Sequence, residues 1–265
     1  MAILDHFNLT DRSVLITGAT GHLGRSMAWA IAEANGTVLV NSRSQAKCEA
    51  LAAEIRSAGY RAEAAPFDVR NPEQISEYFS KTDDLQLHGL INNAYSGSAG
   101  SIETAHADDF LKGFEINVVA AQVLTKAALP SLRLARMQSG DAAVVNIASM
   151  YGMVSPDLRI YPSRETANPP FYGAAKAALL QWTRYAACEF GHEGIRFNAI
   201  SPGPFPADSV RENAADFVGR LVERVPLGRV GNPDEIQGAV LFLVSQASTF
   251  VNGANLPVDG GWTSW

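Results

Sequence analysis

The chain has 265 residues and a formal net charge of −6, from 21 Lys plus Arg against 27 Asp plus Glu, with a pI near 5.4. That acidic balance argues against a nucleic-acid binder, which needs a basic face to meet phosphate. With 47% hydrophobic and only 18% charged residues, disorder is excluded as the dominant state, and a large interior or surface shared between subunits is expected.

Taken in chain order, apolar β-branched runs alternate with helical patterns. Strands are expected at 13–17 (SVLIT), 37–41 (TVLVN), about 62–67, 89–93 (GLINN), 143–148 (AVVNIA), 196–201 (RFNAIS) and about 255–258. Several are nearly continuous apolar runs, as in strands buried on both faces of a parallel sheet. Helices are expected at 23–34, 45–58, 72–81, 107–138, 171–190, 207–222 and 233–246, with Pro72 and Pro233 at first-turn positions where a missing N–H is harmless. This alternation predicts an α/β fold with a single, doubly wound parallel sheet of about seven strands, Rossmann-type, over one domain, 1–265. A (β/α)₈ barrel competes at this length, but seven strands and a glycine-rich turn after the first favour the open sheet. The stretch 155–170 (SPDLRIYPSRETANPP) holds four prolines in sixteen residues and is expected to be a functional loop.

No apolar run approaches the length of a membrane helix, and the N-terminal MAILDHFNLTDRS lacks the pattern of a secretory leader. Two cysteines, Cys48 and Cys188, do not make a disulfide framework. Five scattered histidines and the absence of CxxC give no metal site. The expectation is a cytoplasmic protein with no membrane or nucleic-acid partner.

Directly after the first strand comes Thr17-Gly18-Ala19-Thr20-Gly21-His22-Leu23-Gly24. Glycines at a strand-to-helix turn let backbone N–H groups approach a pyrophosphate, and the helix N-terminus adds partial positive charge. Gly18, Thr20, His22, Leu23 and Gly24 are therefore candidate cofactor contacts. The second strand ends Asn41-Ser42-Arg43, with no acid to accept a free ribose 2′-hydroxyl. Ser42 and Arg43 favour NADP(H) over NAD(H), since a guanidinium pairs with a 2′-phosphate. An Arg43 stacked on adenine or simply solvated is the alternative.

Tyr172 and Lys176 stand four residues apart on one face of a helix. A phenol is a poor base at neutral pH, and a nearby ammonium favours the phenolate. The pair is then a plausible proton-transfer unit. Ser149 follows a buried strand, Asn92 and Asn93 end another, and Asn117 lies in a long apolar helix.

With these residues the chain resembles the short-chain dehydrogenase/reductase superfamily, in its compact single-domain branch. The likeness runs through the 17–24 turn, Asp68-Val69, Leu90 to Ala94, Asn117, Ser149, Tyr172 with Lys176, Ser201-Pro202-Gly203 and Val258 to Gly261. It implies that Tyr172 is the general acid/base and that Ser149 polarises the substrate oxygen. Lys176 would bind the nicotinamide ribose and lower the Tyr172 pKa, and Asn117 would hold a water leading to solvent. Asp68 and Val69 would meet the adenine, and Asn93, Ala94, Pro202 and Gly203 would line the cofactor. The implied reaction interconverts a secondary alcohol and a ketone.

Three positions depart from the compact pattern. His22 replaces a glycine, giving the TGxxGxxG turn of the extended epimerase and dehydratase branch. Tyr95 follows Asn-Asn-Ala and is expected to cover part of the active-site mouth. Ala207 stands where a carboxamide-contacting threonine often falls. Ser149 and Tyr172 are also farther apart than is usual, the extra residues being the 155–170 loop. Arg159, Tyr161, Arg164 and Glu165 lie in it; the arginines either hold an anionic substrate group or are solvated. Tyr95, Tyr151, Arg159 and Phe205 are the candidate substrate contacts, and a weaker likeness to bacterial gluconate dehydrogenase-like and surface-sugar-modifying members points to a sugar-like or polyol small molecule. Trp262 and Trp265 are expected at a subunit interface, and the resemblance implies a homotetramer. A nucleotide-sugar epimerase or dehydratase and a non-catalytic dinucleotide sensor are the alternatives.

Overall fold

The alternation of strand and helix closes into one seven-stranded sheet in the computed structural model, which describes residues 2–265. The strands are β1 (Ser13–Ile16), β2 (Thr37–Val40), β3 (Arg61–Ala64), β4 (Leu87–Asn92), β5 (Ala142–Ile147), β6 (Ile195–Pro202) and β7 (Asn255–Val258). All pairings are parallel, in the order β3-β2-β1-β4-β5-β6-β7. Helices α1 (His22–Glu33), α2 (Gln45–Ser57) and α9 (Gln237–Val244) cover one face, while α3 (Pro72–Ser80), α5 (Ala120–Ser139) and α6 (Pro170–Phe190) cover the other.

Successive strand residues divide between the two faces. Val14 and Ile16 join Met27, Ile31 and Val240 in one core cluster, whereas Leu15 joins Leu124 and Leu132 in the other. In β5, Val145 and Val144 split the same way. Two-sided burial is the reason these strands read as continuous apolar runs.

Two expected helices are interrupted. The expected helix at 107–138 is α4 (Ala107–Phe114), a π-helical turn over Glu115–Val119, then α5. The expected helix at 207–222 breaks at Ala214 into α7 (Asp208–Asn213) and α8 (Ala215–Arg224). Against expectation, Ala107–Ser139 is apolar and long enough by composition to cross a membrane. Half of its most apolar window is buried, with Leu124 and Leu132 packed on the sheet.

The order reverses between β1 and β4, the switch point at which such sheets open a crevice at their C-terminal ends. A cleft of about 500 Å³ lies there, reached by the ends of β1, β2, β4, β5 and β6 and by the first turns of α6.

Candidate active site

The phosphate end of the cleft is built by the stitching of β1 to β4. The Thr17 hydroxyl donates to the Ile91 carbonyl at 3.2 Å and accepts from the backbone N–H groups of Asn93 and Ala94 at 2.9 and 3.0 Å. Asn93 Nδ2 donates to the Thr17 carbonyl at 2.8 Å. The chain then turns at Gly18 with φ of +63°, the left-handed region that favours glycine. A Cβ on Gly24 would collide with the Gly18 carbonyl oxygen and the Ala19 backbone, so that glycine is needed to seat α1 against the turn. No side chain caps the N-terminus of α1 at Gly21, which leaves first-turn N–H groups to an anion in the cleft. His22 lines the cleft as well, and its Nε2–H donates to the Phe205 carbonyl at 3.1 Å, tying the turn to the segment after β6.

At the far end, Asn41 Nδ2 donates to the carbonyls of Ala65 and Phe67 at 2.7 and 3.1 Å and fixes the exits of β2 and β3 together. Arg43 is exposed at the rim, beside Ser42 and across from Arg70. Arg70 donates through Nε and Nη2 to the Asp68 carboxylate at 3.4 and 3.1 Å. Burial alone would raise the Asp68 carboxyl, but the Arg70 hydrogen bonds and the Arg43 charge hold it below its usual range. This end of the cleft is cationic, and the one carboxylate that lines it is already paired.

The reactive end is assembled from β5 and α6. Ser149 leaves β5 and caps a single 3₁₀ turn, its hydroxyl accepting from the Tyr151 N–H at 3.1 Å. Lys176 is buried, and its Nζ donates to the Ile147 carbonyl at 2.7 Å. Burial pushes that ammonium down to about 7. Burial raises the Tyr172 phenol, while a hydrogen bond with Ser149 opposes the rise. The Tyr95 ring meets the Tyr172 ring edge-on at 4.9 Å, and Lys176 Nζ lies 5.6 Å from both ring centres. Tyr95 thus lines the cleft beside the tyrosine and lysine.

Asn117 sits in the π turn, where the backbone bonds run five residues back. Its Nδ2 donates to the Gly113 carbonyl at 2.8 Å, while its buried Oδ1 has no hydrogen-bond partner among the described residues. A small space of about 10 Å³, room for one water, joins Asn117 to Lys176, Thr17 and Asn92.

Eighteen of the sequence-selected residues line the cleft directly: the turn, Ser42 and Arg43, Asp68 and Val69, Asn93 to Tyr95, Ser149, Tyr172, Lys176, Pro202, Gly203 and Phe205. Arg159 does not. It is 83% exposed and folds back onto Asp157, two residues away, with a bidentate pair at 2.8 Å. Tyr151 is buried behind the site instead of lining it, edge-on to Trp262 at 6.4 Å. Trp262 is accordingly a core residue of the protomer, contrary to expectation, while Trp265 remains exposed.

Sequence reasoning passed over a buried polar chain that seats α6. Asn92 donates to Asn146, Asn146 to Thr183 and Thr183 to the Leu179 carbonyl, at 2.8, 2.8 and 2.7 Å. The signal was available, since Asn146 is a polar residue inside the apolar run AVVNIA and is fully buried.

The model of the family described as Enoyl-(Acyl carrier protein) reductase matches residues 18–263. An uncharacterised oxidoreductase of Mycobacterium tuberculosis is 34% identical over 265 residues, covering 98% of this chain and 95% of that protein. The 2,5-dichloro-2,5-cyclohexadiene-1,4-diol dehydrogenase LinX of Sphingobium indicum is 30% identical, covering 96% and 97%. A gluconate 5-dehydrogenase from Burkholderia cenocepacia, solved with NADP and tartrate, superposes with a TM-score of 0.88 at 30% identity, each chain covered completely. The glycine turn, the cationic far rim and the serine, tyrosine and lysine at the other end fit a nicotinamide dinucleotide, and the chain belongs to the short-chain dehydrogenase/reductase superfamily of NAD(P)-dependent oxidoreductases.

Proposed function

We propose that the protein interconverts a secondary alcohol and a ketone on a small sugar-like or polyol substrate, with NADP(H) preferred, and that residues 1–265 act as one domain. The observation that carries this reading is the convergence of Ser149, Tyr172 and Lys176 at one end of a cleft whose other end presents Arg43 without a free carboxylate. When bound, NADP(H) supplies or accepts the hydride.

Tyr172 exchanges the proton with the substrate oxygen, which Ser149 holds by a second hydrogen bond. Tyr172 and Lys176 titrate as a pair: an ionised phenol favours the ammonium, and the ammonium favours the phenolate. Lys176, already held by the Ile147 carbonyl, orients the nicotinamide ribose. The Asn117 Oδ1 accepts from a water in the small space beside Lys176, and that water carries the proton onward toward solvent. Arg43 and Ser42 receive the 2′-phosphate, and the α1 N-terminus receives the pyrophosphate.

A polyhydroxy or cyclic alcohol is supported by the relatives named for gluconate and for a cyclohexadiene diol. A homotetramer is supported by exposed apolar side chains in two places: Phe110, Leu111 and Tyr185 on α4 and α6, and Phe250 and Trp265 beside the edge strand β7. Light scattering should then give about four times the 28.3 kDa chain mass. The unpaired thiols of Cys48 and Cys188 support a reducing cytoplasm.

The test is a panel of polyols, sugars, sugar acids and cyclic alcohols assayed with both cofactors. Net change in nicotinamide absorbance, stronger with NADP(H), supports the reading. Turnover with no net absorbance change would indicate an epimerase or dehydratase. Tight NADP(H) binding with no redox change on any compound would indicate a sensor.

A further inference from the structure

The buried ammonium of the cleft has no anion to face. Lys176 is buried, and the one carboxylate that lines the cleft, Asp68, sits at the far rim, paired with Arg70. Among the described residues, no charged group opposes the burial that lowers this ammonium. Its hydrogen bond to the Ile147 carbonyl at 2.7 Å uses one of an ammonium's three donors. What else surrounds it is aromatic: Nζ lies 5.6 Å from the ring centres of Tyr95 and Tyr172, within reach of a cation–π interaction. The two rings meet at 70° with centres 4.9 Å apart, so the ammonium occupies the corner between their faces.

The chain makes room for the Tyr95 ring. A Cβ on Gly97 would collide with the Tyr95 hydroxyl and ring, so the bare backbone at 97 is what lets the side chain lie there. Tyr95 is 42% exposed and lines the cleft, so its ring is not core filling. The ionisable groups facing the corner are Tyr95 and Tyr172, with Tyr151 and Tyr161 close enough to feel or alter the Tyr172 charge. Neutral groups come from the other elements packed there: Ser149 and the Ile147 carbonyl from the end of β5, and Asn117 from the π turn. Burial raises the Tyr95, Tyr151 and Tyr161 phenols, so none of those three is an anion at neutral pH.

We propose that Tyr95 is a positioning residue for the reaction: its ring face holds Lys176 in the charged form beside Tyr172. Tyr95 then acts on the lysine and not on the substrate. Three roles for the ring differ in the sign of their effect on Lys176. Losing an electron-rich face favours the neutral amine and lowers the lysine's midpoint. Losing a shield against water favours the ammonium and raises it. Losing mere packing, with an apolar side chain in its place, leaves it where it was. The proposal rests on the oxidoreductase reading only for the use to which the charge is put.

Direct titration of the nucleotide-free protein by NMR tests it. Of the five lysines, Lys47, Lys81, Lys112 and Lys126 are exposed, so lysine labelled with carbon-13 at Cε should show one displaced titration, assigned by its loss in Lys176→Arg. Tyr95→Leu should lower the Lys176 midpoint by about 0.5 to 1.5 pH units, and Tyr95→Phe, which keeps the ring face, should stay within about 0.3 of the parent. Gly97→Ala leaves position 95 intact but displaces its ring; it should lower the midpoint too, and it carries the test if Tyr95→Leu loses its fold. The alkaline limb of kcat/KM should move to lower pH in Tyr95→Leu, since the ammonium is lost earlier as pH rises. A Lys176 midpoint that stays or rises in Tyr95→Leu, that is not recovered in Tyr95→Phe, or that falls without moving the alkaline limb would overturn the proposal. The titration needs no substrate, so a parent that turns over no compound of the panel would fault the oxidoreductase reading, whatever the midpoint does.

Discussion

Replacing Arg43 with alanine should weaken NADPH binding and leave NADH binding nearly unchanged. Arg43 stands exposed at the rim, and the acid that feels its charge, Asp68, is already held by Arg70. Its guanidinium is therefore available to a 2′-phosphate. A charge-assisted hydrogen-bonded pair contributes about 1.5–3 kcal/mol, and exposure to solvent and salt reduces that to about 1–2 kcal/mol. The dissociation constant for NADPH should rise about 5- to 30-fold, with NADH within about twofold. Fluorescence titration of both nucleotides at two ionic strengths is the assay; the parent should show a steeper salt dependence for NADPH than the variant. Arg70→Ala acts differently. It releases the Asp68 carboxylate into the same rim, so NADPH should weaken while NADH improves. Unchanged NADPH affinity in Arg43→Ala would refute the argument. Equal weakening of both nucleotides would show that Arg43 serves by stacking on adenine.

Asn117→Ala removes both the bond to Gly113 and the free Oδ1, so kcat should fall about 10- to 100-fold while NADPH affinity stays within about twofold; steady-state kinetics with nucleotide titration checks it, and an unchanged kcat contradicts the relay. His88 accepts from the Ser13 N–H at 3.2 Å, and burial with the nearby Arg12 charge pushes its imidazole down to about 4. The unfolded chain takes up that proton near 6.5, so stability present above pH 6.5 is lost as the pH falls toward 4. His88→Asn, which keeps an acceptor for Ser13, should flatten the fall of Tm with pH across that window; an identical pH profile would exclude the group. Arg196 clamps Asp141 through Nε and Nη2 at 3.0 and 3.1 Å and reaches the Leu243 carbonyl and the Ser248 hydroxyl. Arg196→Met leaves Asp141 buried with only Arg12 at 3.7 Å, a loss of about 3–5 kcal/mol in urea unfolding. Since Arg196 starts β6 and the cleft lies at its other end, the folded fraction should keep its activity.

The strands were legible because both of their faces are buried, so Val14, Leu15 and Ile16 are all apolar although they point to opposite cores. Most of the cleft was legible too, because its residues stand at strand ends and at one helix start, where position along the chain fixes position in space. The interruption at Asn117 was not, since a π turn adds one residue without breaking the run of apolar side chains. Arg159 was left between two alternatives because a sequence gives a cation's charge but not its nearest partner, and its exposed pair with Asp157, two residues away, fits the solvated one. His22 read as a cofactor contact and as a departure from the compact turn, and its ring also reaches across 183 positions to the Phe205 carbonyl, a contact no local pattern announces. Tyr161 carried no signal in its own neighbourhood; only the fold of the insertion against α8 brings it beside Tyr151.

The central claim is that Tyr172 moves the proton while other residues hold the nucleotide, and Tyr172→Phe tests it most directly. The phenyl ring keeps the edge-on packing against Tyr95 and removes only the hydroxyl shared with Ser149. The measurement is single-turnover oxidation of NADPH by a ketone accepted by the parent, alongside NADPH titration. Hydride transfer should fall by about a thousandfold or more with nucleotide affinity within about twofold. Retention of more than about a tenth of the parent rate, with NADPH still bound, would contradict the account.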